Sequence, residues 1–283
     1  MQDAFAHCEA LVRSADRDRF LAALFVPVEH RGALHALYAF NIEIARVREV
    51  VREPLAGEIR LQWWNDAIEG KAAGEIAANP VAAALLESVA RYRLPADLLT
   101  GLIAARRFDL YDDPMLSLAD LDDYARGTSA AVIELAARVL APGSLPGLGP
   151  LALHAGLAYA IAGLLQAFPR HAARGQLFLP LQVLERHGVQ RQEPGAQPAT
   201  PELRSALAEL RGEARRHLEE ASRLAEGVAD AVTPALLPVA IVRPLLDRME
   251  RRDYDPFLPL ELSHLRRQWR LWRGARQPAR IFA

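Results

Sequence analysis

The sequence predicts an all-α protein, a single helical-bundle domain over residues 1–283. Three observations carry that reading. Apolar residues recur at spacings of three and four nearly everywhere, the pattern of helices with one face turned to a core. No stretch alternates polar with apolar residues as a half-buried strand does. No Gly-, Pro- or Ser-rich run is long enough to part the chain into separate domains, so roughly ten helices are expected around one core.

Taken in order, Leu21, Leu24 and Phe25 belong to a first apolar helix that ends near Pro27. The next starts near Glu29 and sets Ala33, Leu37, Phe40, Ile44, Val47 and Val51 on one stripe before Pro54 and Gly57 close it. Further helices are expected over residues 58–71, 81–92, 96–109, 118–140 and 151–168. A short helix over 184–187 follows Pro180, and residues 189–200, rich in Gln, Pro, Gly and Ala, read as a loop. Helices resume over 201–227, with proline at the start where its missing N–H does no harm, and over 234–251 and 260–274.

Composition narrows the classes. The 283 residues are 51% hydrophobic and 24% charged, ordinary for a globular protein, and the net charge of −1 excludes a chain that binds nucleic acid through overall charge. The single cysteine, Cys8, excludes an intrachain disulfide framework and a cysteine-rich zinc site, and points to a reducing compartment. The N-terminus has no basic stretch followed by an apolar run, so no secretory signal is expected. Residues 141–169 carry no formal charge apart from His154 when protonated, long enough for a membrane span. The glycines and prolines of its first part, with Gln166 and His154 in the rest, favour a loop and then a buried core helix.

The residues that carry a signature come late in the chain. Ala172-Ala173-Arg174-Gly175-Gln176-Leu177-Phe178-Leu179-Pro180 resembles a signature of squalene and phytoene synthases. Phe20-Leu21-Ala22, Tyr38-Ala39-Phe40, Arg60-Leu61-Gln62-Trp63-Trp64, Phe108-Asp109-Leu110 and Tyr124 are similar to other family motifs in the same order. The resemblance implies an isoprenoid synthase fold, helices surrounding a central cavity. It also implies two aspartate-rich helices holding Mg²⁺ on a prenyl diphosphate, because magnesium needs hard oxygen ligands and carboxylates four apart share one helix face.

The residues at those places are different. Set against Tyr38, the first motif falls on Ala45, Arg46 and Glu49, where only Glu49 is acidic. Set against Arg174, the second falls on Ala167, Arg170 and His171, where the family has Asp, Glu and Asp. Two polar pocket positions become Gly163 and Ala160, so Gly156, Ala160, Gly163 and Ala167 form a stripe of small residues. No shift restores the acids: Glu49 and Glu53 are cut off by Pro54, while Asp109, Asp112 and Asp113 and then Asp120, Asp122 and Asp123 read as loop and helix-cap residues.

Two readings of the replaced positions stand. In one, the small stripe allows close helix packing, and Arg46, Arg48, Arg170 and His171 are solvated or paired with Glu49 and Asp109. In the other, arginines replace metal and bind an isoprenoid diphosphate or a phospholipid head directly, since guanidinium forks match phosphate oxygens. The candidate pocket is Tyr38, Ala45, Arg46, Glu49, Asp109, Tyr124, Ala167, Arg170, His171 and Arg174. No cofactor is expected.

The degenerate motifs resemble a branch of the family, the phytoene-synthase-like assembly factors of respiratory complex I. That implies a non-catalytic protein, cytoplasmic or peripheral at the inner membrane, with a respiratory complex subunit as partner and no nucleic acid. The alternative is an active Mg²⁺-dependent head-to-head prenyl transferase on farnesyl or geranylgeranyl diphosphate, its metal held by Glu49 and Asp109 with phosphate oxygens. From His264 onward the chain holds six arginines, no acid, and Trp269 and Trp272 at helical spacing with Leu265. This is either a basic amphipathic helix for a membrane surface or an end helix packing its tryptophans onto the domain.

Overall fold

Helix punctuation explains most of the architecture. In the computed structural model, which describes all residues but 73–75, 112, 142, 144, 190–198 and 227–229, the described residues are helices, turns and loops with no strand. Prolines open helices rather than end them at α5 (Pro54–Ile68), α6 (Pro80–Tyr92) and α12 (Pro201–Ala225). The side chains of Asn79 and Thr200 accept main-chain N–H groups at the starts of α6 and α12. Pro54 therefore begins a helix that the sequence reading started four residues later, and Glu53 before it is extended, as a residue preceding proline prefers.

The contacts divide the chain into two compact units, each assembled from separated segments. The first comprises Met1–Tyr111, Ala131–Gly149 and Gly227–Pro238. Its α1 (Gln2–Ala15) lies outside the helices expected from sequence. It packs on α3 (Val28–Ala45) and α6, burying Cys8 and Val12. After α2 (Arg17–Ala23), α3 runs through the unit's core, buried from Ala33 to Ile42 and packed also on α9 (Ala131–Leu140). α3 stops at Arg46, and the expected continuation to Val51 is a separate turn, α4 (Val47–Val50). α5 packs on α7 (Ala96–Arg106) and on the tight turn Arg107–Leu110 that follows it. Trp64 is buried edge-on against Phe40 at 5.0 Å and beside Trp63 at 5.2 Å, so the tryptophan pair packs the core. α13 (Thr233–Leu236) closes the unit on α9.

The second unit comprises Asp112–Ala130, Pro150–Glu226 and Val239–Ala283. In α8 (Leu118–Ala125), Ser117 and Asp120 cap each other, which settles Asp120 as a cap residue. The expected helix over 118–140 is broken by a wide turn, Arg126–Ala130. There Gly127 lowers helix propensity and the Thr128 hydroxyl donates to the Tyr124 carbonyl at 2.6 Å. Helix α10 (Leu148–Ala173) is longer than expected and runs through Pro169, whose ring forfeits one helical hydrogen bond but keeps a helical φ. It alone among the described residues is long and apolar enough to cross a membrane, and most of it is buried. α11 (Leu181–Arg186) packs on α12, α12 packs on α14 (Val242–Met249), and α15 (His264–Arg276) ends the helical order. The expected helix over 234–251 is split by a 3-10 stretch, Leu237–Ile241, where Pro238 removes a main-chain donor. The loop expected over 189–200 lies almost wholly outside the described residues, as do Asp112 and Gly227.

Candidate functional site

Two stretches carry the predicted site residues, and each belongs to one unit. In the first, α3 ends where the Arg46 N–H reaches the Ile42 carbonyl at 3.1 Å, and Glu49 N–H returns to Arg46 at 2.9 Å. Val47 is buried and pins this corner, which leaves Ala45 half-buried and Arg46 and Glu49 exposed. α4 packs beside the Arg107–Leu110 turn that carries Asp109. The Asp109 carboxylate is paired with Arg106 at 3.0 Å, half-buried on both sides. Two turns back on α3, Tyr38 is buried beneath the Arg19 guanidinium, 5.6 Å from its ring centre, and burial pushes its hydroxyl up to about 12.

One group here escaped the sequence reading. Glu58, in the segment leading to Trp63-Trp64, binds Arg107 at 2.8 Å and accepts the Tyr111 hydroxyl at 3.2 Å, while Arg107 also donates to Gln62 at 3.1 Å. Partners about fifty residues apart leave no local pattern that would reveal them.

In the second unit, the motif around Arg174 is a helix ending. Gly175 takes φ of +67°, a left-handed turn that favours glycine, and Gln176 N–H caps the His171 carbonyl at 2.9 Å. The chain then reaches Pro180 and enters α11, whose Leu181 and Gln182 N–H groups bond the carbonyls of Met115 and Leu116 at 2.9 and 3.0 Å. The last turns of α10 are steadied by Phe168 against Phe257 at 5.6 Å and by Gln166 donating to the Leu260 carbonyl at 2.9 Å. This sets Ala167 half-buried and Arg170 and Arg174 exposed, with the His171 ring edge-on to Phe178 at 4.7 Å. Burial, and then the charges of Arg170 and Arg174, push His171 down to about 4, so it is neutral at neutral pH. Tyr124 is half-buried on α8.

The small stripe on α10 is not uniform. A side chain at Gly156 would meet the backbone of Ala130 at under 3.0 Å, so this position does serve close packing. Ala160 packs with Ala125 and Leu157, whereas Gly163 is exposed with nothing within 4 Å of a side chain there. Two histidines, His154 on α10 and His217 on α12, meet Nδ1 to Nδ1 at 2.9 Å.

A sequence profile of the squalene/phytoene synthase family matches residues 12–273. The chain belongs to that family. Its relatives include complex I assembly factor 6 of Rattus norvegicus, 30% identical over 91% of this chain and 77% of that protein. They also include the 15-cis-phytoene synthase of a Synechocystis strain, 24% identical over 91% of this chain and 80% of that protein. Among solved structures, a dehydrosqualene synthase superposes with a TM-score of 0.82 at 20% identity, covering 96% of this chain and 95% of that one. The fold is therefore the isoprenoid synthase fold.

The residues can now be tested against the magnesium that the family's enzymes use. Mg²⁺ is held by carboxylate and phosphate oxygens in a strict octahedron. Glu49 is exposed, and Asp109 is committed to Arg106. The end of α10 offers Ala167, Arg170, His171 and Arg174, with no carboxylate. Among the described residues no three His, Cys, Asp or Glu side chains are grouped to hold a metal ion. The donor set does not fit a family-type magnesium cluster.

Proposed function

We propose that this chain keeps the synthase fold without the prenyl-diphosphate reaction and acts as an assembly factor of the respiratory complex I type. The observation that carries the reading is the end of α10, where small and cationic side chains and a neutral His171 stand in place of a carboxylate cluster. Ionising an allylic diphosphate needs metal charge on the leaving group, and these residues give metal no seat. The names of the relatives support it: the 30% identity is to an assembly factor and the phytoene synthase stands at 24%.

In this reading the ligand is an anionic head, an isoprenoid diphosphate or a phospholipid, and the exposed guanidiniums of Arg170 and Arg174 take the role of metal. Tyr38, Ala45, Arg46, Glu49, Asp109, Tyr124, Ala167 and His171 are the other proposed pocket positions, and the working place is the inner-membrane surface. The two units act as one domain. Segments of each alternate along the chain, so neither can be cut out as a continuous piece.

The test is genetic rescue. Cells lacking the protein should lose NADH–quinone reductase activity of their membranes, the parent chain should restore it, and an Arg170→Gln, Arg174→Gln chain at equal abundance should not. Unchanged reductase activity in cells lacking the protein would overturn the assembly reading, and full rescue by the arginine variant would overturn the anionic-head ligand.

A further inference from the structure

Helix α15 turns its largest apolar side chains to solvent. It opens at Ser263, whose hydroxyl accepts the Arg266 N–H, and is seated through buried Leu271 and Gly274. Ile281 and Phe282 are buried just beyond it. The Arg270 guanidinium donates to the Ala283 carbonyl at 2.8 Å, and Arg243 to that of Phe282 at 3.3 Å, so the helix is fixed in its rotation. At 3.6 residues per turn, Leu265, Trp269 and Trp272 then fall on the side opposite Leu271 and Gly274. They are 80%, 48% and 49% exposed. The sequence reading in which the tryptophans pack onto the domain is thereby corrected, because Leu271, Gly274, Ile281 and Phe282 fill the contact instead.

The rim of this face is cationic. The guanidinium carbon of Arg273 lies 5.0 Å and that of Arg270 5.8 Å from the Trp269 ring centre, and that of Arg276 lies 5.6 Å from Trp272. Arg266, Arg270, Arg273 and Arg276 form no ion pair among the described residues. No carboxylate side chain follows Glu261 in the sequence.

We propose that α15 is a membrane-docking element that lies flat on a bilayer containing anionic lipid. Leu265, Trp269 and Trp272 enter the interface, and Arg266, Arg273 and Arg276 meet headgroup phosphates. Indole rings, apolar with one polar edge, favour that depth, and guanidinium matches phosphate. The 13-residue helix is about 20 Å long, too short to span the hydrocarbon but suited to its surface. Charge decides against a second copy of this chain as the occupant, since pairing two such faces would set uncompensated arginines against each other. The inference goes beyond the assembly reading and does not depend on it.

The test is flotation of the full chain with vesicles of phosphatidylcholine alone or mixed with phosphatidylglycerol. Binding is expected to the mixed vesicles, not to the neutral ones, and is expected to weaken as salt is raised. Each arginine near an anionic surface contributes about fivefold to partitioning. Arg266→Gln/Arg273→Gln/Arg276→Gln should therefore bind at least about tenfold more weakly, as should Trp269→Ala/Trp272→Ala. Both variants should keep the parent's helical circular dichroism, because the helix is seated through Leu271 and Gly274 instead. Equal binding to neutral vesicles, parental binding by either variant, or no vesicle binding at all would overturn the proposal. So would a dimer in sedimentation that is lost in the tryptophan variant.

Discussion

The small stripe on α10 yields a pair of substitutions with opposite signs. A methyl group at Gly156 would sit under 3.0 Å from the Ala130 main chain, which cannot swing aside as a side-chain tip can. Overpacking of this kind costs up to about 3 kcal/mol, and the gain in helix propensity on going from Gly to Ala returns about 1 kcal/mol. The net loss for Gly156→Ala is about 2 kcal/mol. For a chain of this size each kcal/mol moves the unfolding midpoint by roughly 2–4 °C, so Tm should fall by about 4–8 °C. At Gly163, where nothing lies within 4 Å, only the propensity term acts, and Gly163→Ala should gain about 1 kcal/mol, or roughly 2–4 °C. Thermal unfolding followed by circular dichroism at the helical band reads both. A stabilised Gly156→Ala chain would refute the close approach of α10 to the Ala130 turn, and a destabilised Gly163→Ala chain would refute the open setting of Gly163.

Other consequences are as direct. His171 and His217 are both pushed down to about 4 from 6.5, chiefly by burial. Between those values the unfolded chain binds more protons than the folded one, so stability is full above pH 6.5 and falls as pH drops toward 4. Urea midpoints should drop between neutral pH and about pH 5, and His171→Gln should flatten the drop; an unchanged slope would count against a buried neutral imidazole. Burial pushes the Cys8 thiol up to about 12, so it should resist a thiol reagent in the native protein and react at once in denaturant. Rapid native labelling would contradict the packing of α1.

The fold was legible because helical periodicity and family motifs reach most of the chain, and both are local signals. What the sequence hid lies between distant residues. No pattern announces that Glu58 binds Arg107 and Tyr111 or that His154 meets His217. Helix breaks were misplaced where the deciding feature is one side chain or one missing donor, as at Thr128, Pro169 and Pro238. The lost carboxylates of the candidate site were plain in the sequence at Ala45, Ala167 and Arg170, since a residue's chemistry needs no structure to read. The sequence left open which way Trp269 and Trp272 point, because helical spacing gives a shared face and only tertiary packing says whether it turns in or out.

The central claim is that the synthase fold persists here without its reaction. Its most direct test is to incubate the purified chain with farnesyl and geranylgeranyl diphosphate, with and without Mg²⁺, and to follow diphosphate release. The account predicts no release above the enzyme-free rate under either condition. Magnesium-dependent release that is lost in Glu49→Ala or Asp109→Asn would contradict it and show that the family chemistry runs on fewer ligands.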